Sequence, residues 1–253
     1  MIRNAAFVCC GLALAGATQA QLFDGLQVRE RVFNDFPDST LNITNAYPSS
    51  FSIEENNFGS GNFANRHMAF LSNDGGASAF DFNYADGFDF CVTMNLDADP
   101  VDGREAGIMT DLFGFGIFGA LPNGEIAAFG SFLPFHSFGV GVYTFGTDVD
   151  LRMIYRPGAG EGQMPASTME YIIDTGSGPI SSGEIEFTNT EGGIPSGMPQ
   201  DQFLALIGVG IQSQGNPGGS SNVTFTDFKV IPAPGTGVLA LAGLGVLVRR
   251  RRA

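Results

Sequence analysis

The chain is 253 residues long, with 26 acidic side chains against 12 Lys and Arg, a net charge of −14, and 24 phenylalanines but no tryptophan. That charge repels phosphate backbones, which are held through Lys and Arg, so nucleic acid is a poor partner. Gly and Pro total 49 residues, below the ~25–30% that marks disordered low-complexity chains.

At the N-terminus, Arg3 gives a positive start, Ala5–Ala17 is apolar, and Thr18-Gln19-Ala20 places small residues at a cleavage position. This is the layout of a secretory signal peptide, residues 1–20, cut before Gln21. Cys9 and Cys10 lie inside its apolar core, which argues against a lipoprotein signal. Their removal leaves Cys91 alone, without an intramolecular disulfide. The body, residues 21–231, carries all 26 acids and only seven bases, a net of −19. Such a field favours solubility and draws divalent cations. The length suits a single all-β domain.

Gln21–Gly61 is polar and Asn-rich, with short strands at Leu26–Phe33 and Ser50–Ile53. Phe80, Phe82 and Tyr84 alternate with Asp81 and Asn83. After a turn at Asp86-Gly87, Phe88, Phe90, Val92, Met94 and Leu96 alternate with Asp89, Cys91, Thr93 and Asn95. A period of two over nine residues predicts a half-buried strand with Cys91 opposite the Phe stripe. Ala106–Phe118 reads as a strand pair, and Pro122-Asn123-Gly124 as a turn, because Asn-Gly takes positive φ readily. Further strands are expected at Phe138–Phe145, at Val149–Tyr155, at Met169–Ile173 and around Ile185–Phe187. Phe203–Ile211 is continuously apolar, the pattern of a strand buried on both faces. In Asn222–Val230, Val223 and Phe225 share one parity while Phe228 and Val230 take the other, which predicts a bulge near Thr226-Asp227. About a dozen antiparallel strands with frequent turns make a jelly-roll β-sandwich, flanked by an N-terminal signal helix and a short C-terminal transmembrane helix.

The C-terminus, residues 232–253, has three parts: Pro232-Ala233-Pro234, the apolar run Gly235–Val248, and Arg249, Arg250, Arg251 and Arg252. As a helix the run would be about 21 Å long, short against a hydrocarbon core of about 30 Å. The arginines would hold that end in the cytoplasm. The order resembles the PEP-CTERM sorting signal of exopolysaccharide-producing bacteria, with Ala233 where that motif usually has Glu. The resemblance implies handling by an exosortase-like membrane enzyme, after export and signal-peptide removal. A plain membrane anchor is the other reading. The strand layout from Asn65 to Val230 is similar to the concanavalin A-like lectin/glucanase family. Its glycosidases place two or three carboxylates on one strand. Glu184-Ile185-Glu186 is the nearest match here, lacking the middle Asp and the third acid, so two solvated acids is the plainer reading.

Asp97, Asp99, Asp102 and Glu105, with Pro100 and Gly103, form an acidic turn. Close carboxylates in a tight loop suit Ca²⁺, and a solvated turn at a strand end is the plainer reading. No other cofactor is expected. His67 and His136 are far apart in sequence and have no legible partners for a triad or zinc site. Tyr84, Tyr143 and Tyr155 are either sugar platforms or core. The expectation is therefore a non-enzymatic protein exported to the cell envelope or extracellular matrix, sorted by its tail and associated with exopolysaccharide or structural. The alternatives are a secreted glycan hydrolase of concanavalin-like fold and a Ca²⁺-dependent lectin.

Overall fold

The computed structural model describes residues 23–59, 63–83, 86–98, 103–111, 114–130, 132–158, 167–187, 204–214 and 219–232. These hold fifteen strands and no helix: β1 (Gly25–Asn34), β2 (Thr40–Ala46), β3 (Ser50–Asn56), β4 (Ala64–Ser72), β5 (Phe82–Asn83), β6 (Phe88–Ala98), β7 (Arg104–Asp111), β8 (Phe115–Ala120), β9 (Ile126–Phe129), β10 (His136–Ser137), β11 (Asp148–Arg156), β12 (Thr168–Asp174), β13 (Ile180–Glu186), β14 (Leu204–Gln214) and β15 (Ser220–Pro232). The expected signal helix, the apolar run, Ala233, Pro234 and the terminal arginines lie outside the described residues. Among those described, no helix is long and apolar enough to cross a membrane.

Two antiparallel sheets form the expected sandwich. The first runs β1-β4-β14-β7-β8-β9-β10, with β5 added beside β14. The second runs β13-β12-β11-β6-β15-β3-β2. The core lies between them because alternation puts one parity of each strand inward. In β6 the inward set is Phe88, Phe90, Val92, Met94 and Leu96; in β15 it includes Val223 and Phe225. Both meet Ala69, Ile108, Phe118, Val209 and Ile211 from the first sheet. A fully buried Phe of this kind contributes about 2–3 kcal/mol. Cys91 takes the opposite parity and is buried on the outer side. The bulge in β15 falls where the parity slip places it: the register to β6 shifts between Thr226 and Lys229, and Asp227 has φ 54°.

Three segments differ from the sequence reading. Gln21–Gly61 holds three strands, not two. β2 is missed because it is an exposed edge strand whose alternation carries little apolar contrast. The Phe80–Tyr84 pattern yields only the two-residue β5, and Tyr84 lies outside the described residues. Phe138–Phe145 is not a strand: Gly139 and Gly141 take positive φ, and the segment folds so that buried Tyr143 bonds Leu96 and Thr147. In the turn before β9, Gly124 has φ 71°, and a Cβ there would stand 2.7 Å from the Tyr143 carbonyl oxygen.

Candidate functional site

The outer face of the first sheet is built from the parity that does not enter the core. Cross-strand register aligns Arg66, Gln212 and Glu105 in one row, then Met68, Gly210, Gly107 and Gly119, then Phe70, Gly208, Met109, Ile117 and Phe129. On β14, β7 and β8 the middle row is glycine because backbone there lies too close for a side chain. A Cβ on Gly107 would lie 2.3 Å from the Phe118 carbonyl oxygen and 2.5 Å from the Gly119 Cα. Met68, Phe70, Met109 and Ile117 fill the face as a small second core. The Arg66 guanidinium on β4 stacks 3.5 Å from the ring centre of Phe115 on β8. Two strands, β14 and β7, lie between, so the twist of the sheet lifts these diagonal corners toward each other and makes the outer face concave.

One end of this face is polar. Arg66 Nε donates to Gln212 Oε1 (2.9 Å). Gln212 Nε2 donates to Glu105 Oε2 (3.1 Å), and Gln214 Nε2 donates to Glu105 Oε1 (2.8 Å). Burial pushes the Glu105 carboxyl above the usual Glu range, against the opposing pull of Arg66 and the Gln212 hydrogen bond. Burial also lowers the Arg66 pKa, offset by the charges of Glu105 and Asp111. A carboxyl held by two amides and poised toward its neutral form can give or take a proton; the guanidinium beside it can hold an anion. Phe33, cross-strand from Arg66, and Phe63 rim this end.

A buried polar network lies directly behind it, between the sheets. Glu55 Oε1 accepts from Ser39 Oγ (2.6 Å) and Asn65 Nδ2 (2.6 Å), and Glu55 Oε2 is 3.0 Å from His67 Nε2. The Arg31 backbone N–H points at His67 Nδ1 (3.1 Å). Nδ1 therefore accepts, and Nε2 is the ring nitrogen that faces Glu55 as donor. Burial alone would raise the Glu55 pKa, but the bonds from His67, Ser39 and Asn65 outweigh it and hold the carboxyl below its ordinary range. Both side chains have no solvent exposure, so this pair braces the strands from inside the sandwich.

Of the acidic turn, Asp97 and Glu105 are described, while Asp99 and Asp102 lie outside the described residues. Asp97 is exposed on the outer face of the second sheet and Glu105 stands on the outer face of the first, so the sandwich separates these two. Among the described residues, no group of three or more His, Cys, Asp or Glu could hold a metal ion. Glu184 and Glu186 stand on the exposed edge strand β13, where Glu184 faces Arg156 at 3.5 Å. Tyr143 and Tyr155 are core, with the Tyr143 hydroxyl pushed up to about 12 by burial. His136 packs edge-on against Phe138. Pro232 closes β15 beside Phe88. Sequence reasoning missed Arg66, Gln212 and Gln214. Their signal is polar residues of one parity at the ends of otherwise apolar strands, but the pairing of Arg66 with a residue 146 positions away is legible only once β4 and β14 are adjacent.

The fold and this site define a jelly-roll β-sandwich with a concave outer face, consistent with a concanavalin-like body. No family model and no curated protein matches the sequence. Among solved structures, the chain is similar to the alginate lyase from Corynebacterium sp., at TM-score 0.51 and 10% identity over 83% of this chain and 95% of that one. It is also similar to the alginate lyase from Klebsiella pneumoniae, at TM-score 0.47 and 9% identity over 85% and 97%. A functionally unknown Saccharomyces cerevisiae protein aligns at TM-score 0.44 and 10% identity over 80% and 100%. At such identity the Corynebacterium likeness shows the shared sandwich. The expectation of a non-enzymatic surface protein is corrected here: the Corynebacterium structure that shares this sandwich is an alginate lyase.

Proposed function

We propose that the protein is a glycan-degrading enzyme acting on an acidic polysaccharide at the Arg66–Glu105 end of the concave face. The observation that carries this reading is Glu105: a partly buried carboxyl with a raised pKa, clamped by Gln212 and Gln214 beside the Arg66 guanidinium. Arg66 pairs with the carboxylate of a uronate ring and makes the proton α to it more acidic. Ionised Glu105 takes that proton, a C=C bond forms, the glycosidic C–O bond breaks, and the departing oxygen receives the proton back from Glu105. The Corynebacterium alginate lyase that shares the sandwich supports an acidic substrate, and two of the seven basic residues of the body, Arg29 and Arg66, lie on this outer face over Phe70 and Phe115. A secreted location fits, since a polymer must be met outside the cell. The PEP-CTERM-like tail would keep the enzyme at the envelope through an exosortase-like partner; an intact mass from the native cell, with or without the residues after Pro234, tests that part.

The decisive experiment is incubation of the purified body with polyuronates. Growth of ultraviolet absorbance from a conjugated C=C, lost in Glu105→Gln, is the expected result. New reducing ends without that absorbance would make the enzyme a hydrolase, and neither signal on any acidic glycan would overturn the reading.

A further inference from the structure

Phe33 and Phe63 are two of the few large apolar side chains left open to solvent, at 43% and 50% exposure. They stand together, ring centres 6.3 Å apart and planes at 78°. Adjacent exposed apolar groups rimmed by polar ones mark a binding surface more often than an accident of folding.

The backbone is shaped to present them. In β1 the register to β4 shifts between Arg29 and Phe33, so Phe33 and not Arg31 becomes the cross-strand neighbour of Arg66. Arg31 pivots at φ 51°, a conformation that a non-glycine residue keeps only when its surroundings fix it. Those surroundings are explicit: its N–H bonds His67, and its guanidinium bonds Asn34 Oδ1 (2.9 Å), the Phe36 carbonyl (3.0 Å), Ser39 Oγ (3.0 Å) and the Ser39 carbonyl (2.8 Å). A bulge that re-aims a side chain is a recurrent device beside functional sites. Phe63 is fixed separately, its N–H bonded to Asp35 Oδ2 at 3.0 Å. The Arg66 guanidinium lies 5.4 Å from the Phe33 ring centre, which joins the pair to the Glu105 end of the cleft.

We infer that Phe33 and Phe63 form a stacking subsite for one sugar ring of an acidic glycan chain that continues past Arg66. The C–H face of a pyranose meets the aromatic pair, one ring beyond the one whose carboxylate Arg66 holds. The cation in a body of net −19 selects an anionic chain over a neutral one. This rests on the glycan reading above, and the test separates the two.

The experiment compares wild type, Phe33→Ala/Phe63→Ala and Phe33→Tyr/Phe63→Trp on a long polyuronate and on its trisaccharide. The double-alanine variant should raise KM on the polymer about tenfold, leave kcat within about twofold, and change little on the trisaccharide; the aromatic variant should restore KM. Phe63→Ala alone, at a half-exposed position outside the strands, serves if the double variant fails to fold. An unchanged polymer KM in variants of wild-type fold overturns the subsite while leaving the enzyme reading intact. Should wild type degrade no glycan, retention in polyuronate-containing native gels decides: retention lost in the alanine variant supports the subsite, and equal migration of the two proteins overturns it.

Discussion

The two outer faces of this sandwich are made from the same kind of alternating strand, yet they are built in opposite ways. On the first sheet the outward parity is Arg66, Met68, Phe70, Gly107, Met109 and Ile117, and most of it is buried. On the second sheet much of the outward parity is polar: Ser52, Thr224 and Asn95 lie side by side across β3, β15 and β6. Beyond them Arg152 pairs with Asp89 (2.7 and 2.5 Å) and Arg156 with Glu170 (2.8 Å). A solvated face needs only alternation. A face that is concave and packed needs glycines where strands crowd, a cation lying across it, and a polar network behind it to hold its rim. The contrast teaches that the end of the molecule proposed as its site is the one where the ordinary inside-outside rule is suspended.

The largest expected effect tests the chemical claim for the first face. Glu105→Gln should lower kcat by about 10²–10⁴-fold on a polyuronate, the range for a lost general acid–base group. It should not lower stability. The folded pKa of Glu105 is raised, so its ionised form is disfavoured by the fold and stability is lost as pH rises toward that value. The Gln variant should therefore show an equal or higher urea midpoint at neutral pH, and a fall in that midpoint together with activity would break the assignment.

Next in size is the brace behind the rim. Glu55→Ala leaves His67, Asn65 and Ser39 facing an empty buried site and should cost about 3–5 kcal/mol in urea unfolding. The pH dependence runs opposite to that of Glu105. The folded pKa of Glu55 is lowered, so its contribution is full above the ordinary Glu value and disappears as pH falls through the folded one. Acid titration of stability should lose this limb in the variant. Gly107→Ala should follow, at about 1–3 kcal/mol, because the new methyl meets backbone and not a movable side chain. Smallest is Arg156→Ala on the second face. Its side chain is 40% exposed, and double-mutant cycles with Glu170 should give under about 1 kcal/mol, falling with salt. A larger value would mean that the second face is also built, and the comparison would fail.

How far the sequence reaches can be followed residue by residue. The Phe88–Leu96 stripe is legible because a period of two is a local property of nine consecutive side chains. The β15 bulge is legible because a parity slip between Phe225 and Phe228 is visible in the chain itself. Tyr143 misleads: two glycines among apolar residues look like a strand, but positive φ and a buried hydroxyl turn the segment into a loop. The acidic turn drew attention to Glu105 through residues close to it in sequence. Its true partners, Gln212 and Gln214, lie more than a hundred positions downstream, and no spacing rule connects them.

By itself the sequence determined the all-β class, the inward stripes and the acidic character of the body, because alternation, turn chemistry and charge are all local or additive. Only the tertiary structure decided which outward face would be concave, that β4, β14 and β7 would be neighbours, and that Arg66, Glu105 and two glutamines would meet. Strand order in a sandwich is a long-range choice, set by how two twisted sheets share one core, and the raised pKa of Glu105 is a consequence of that burial.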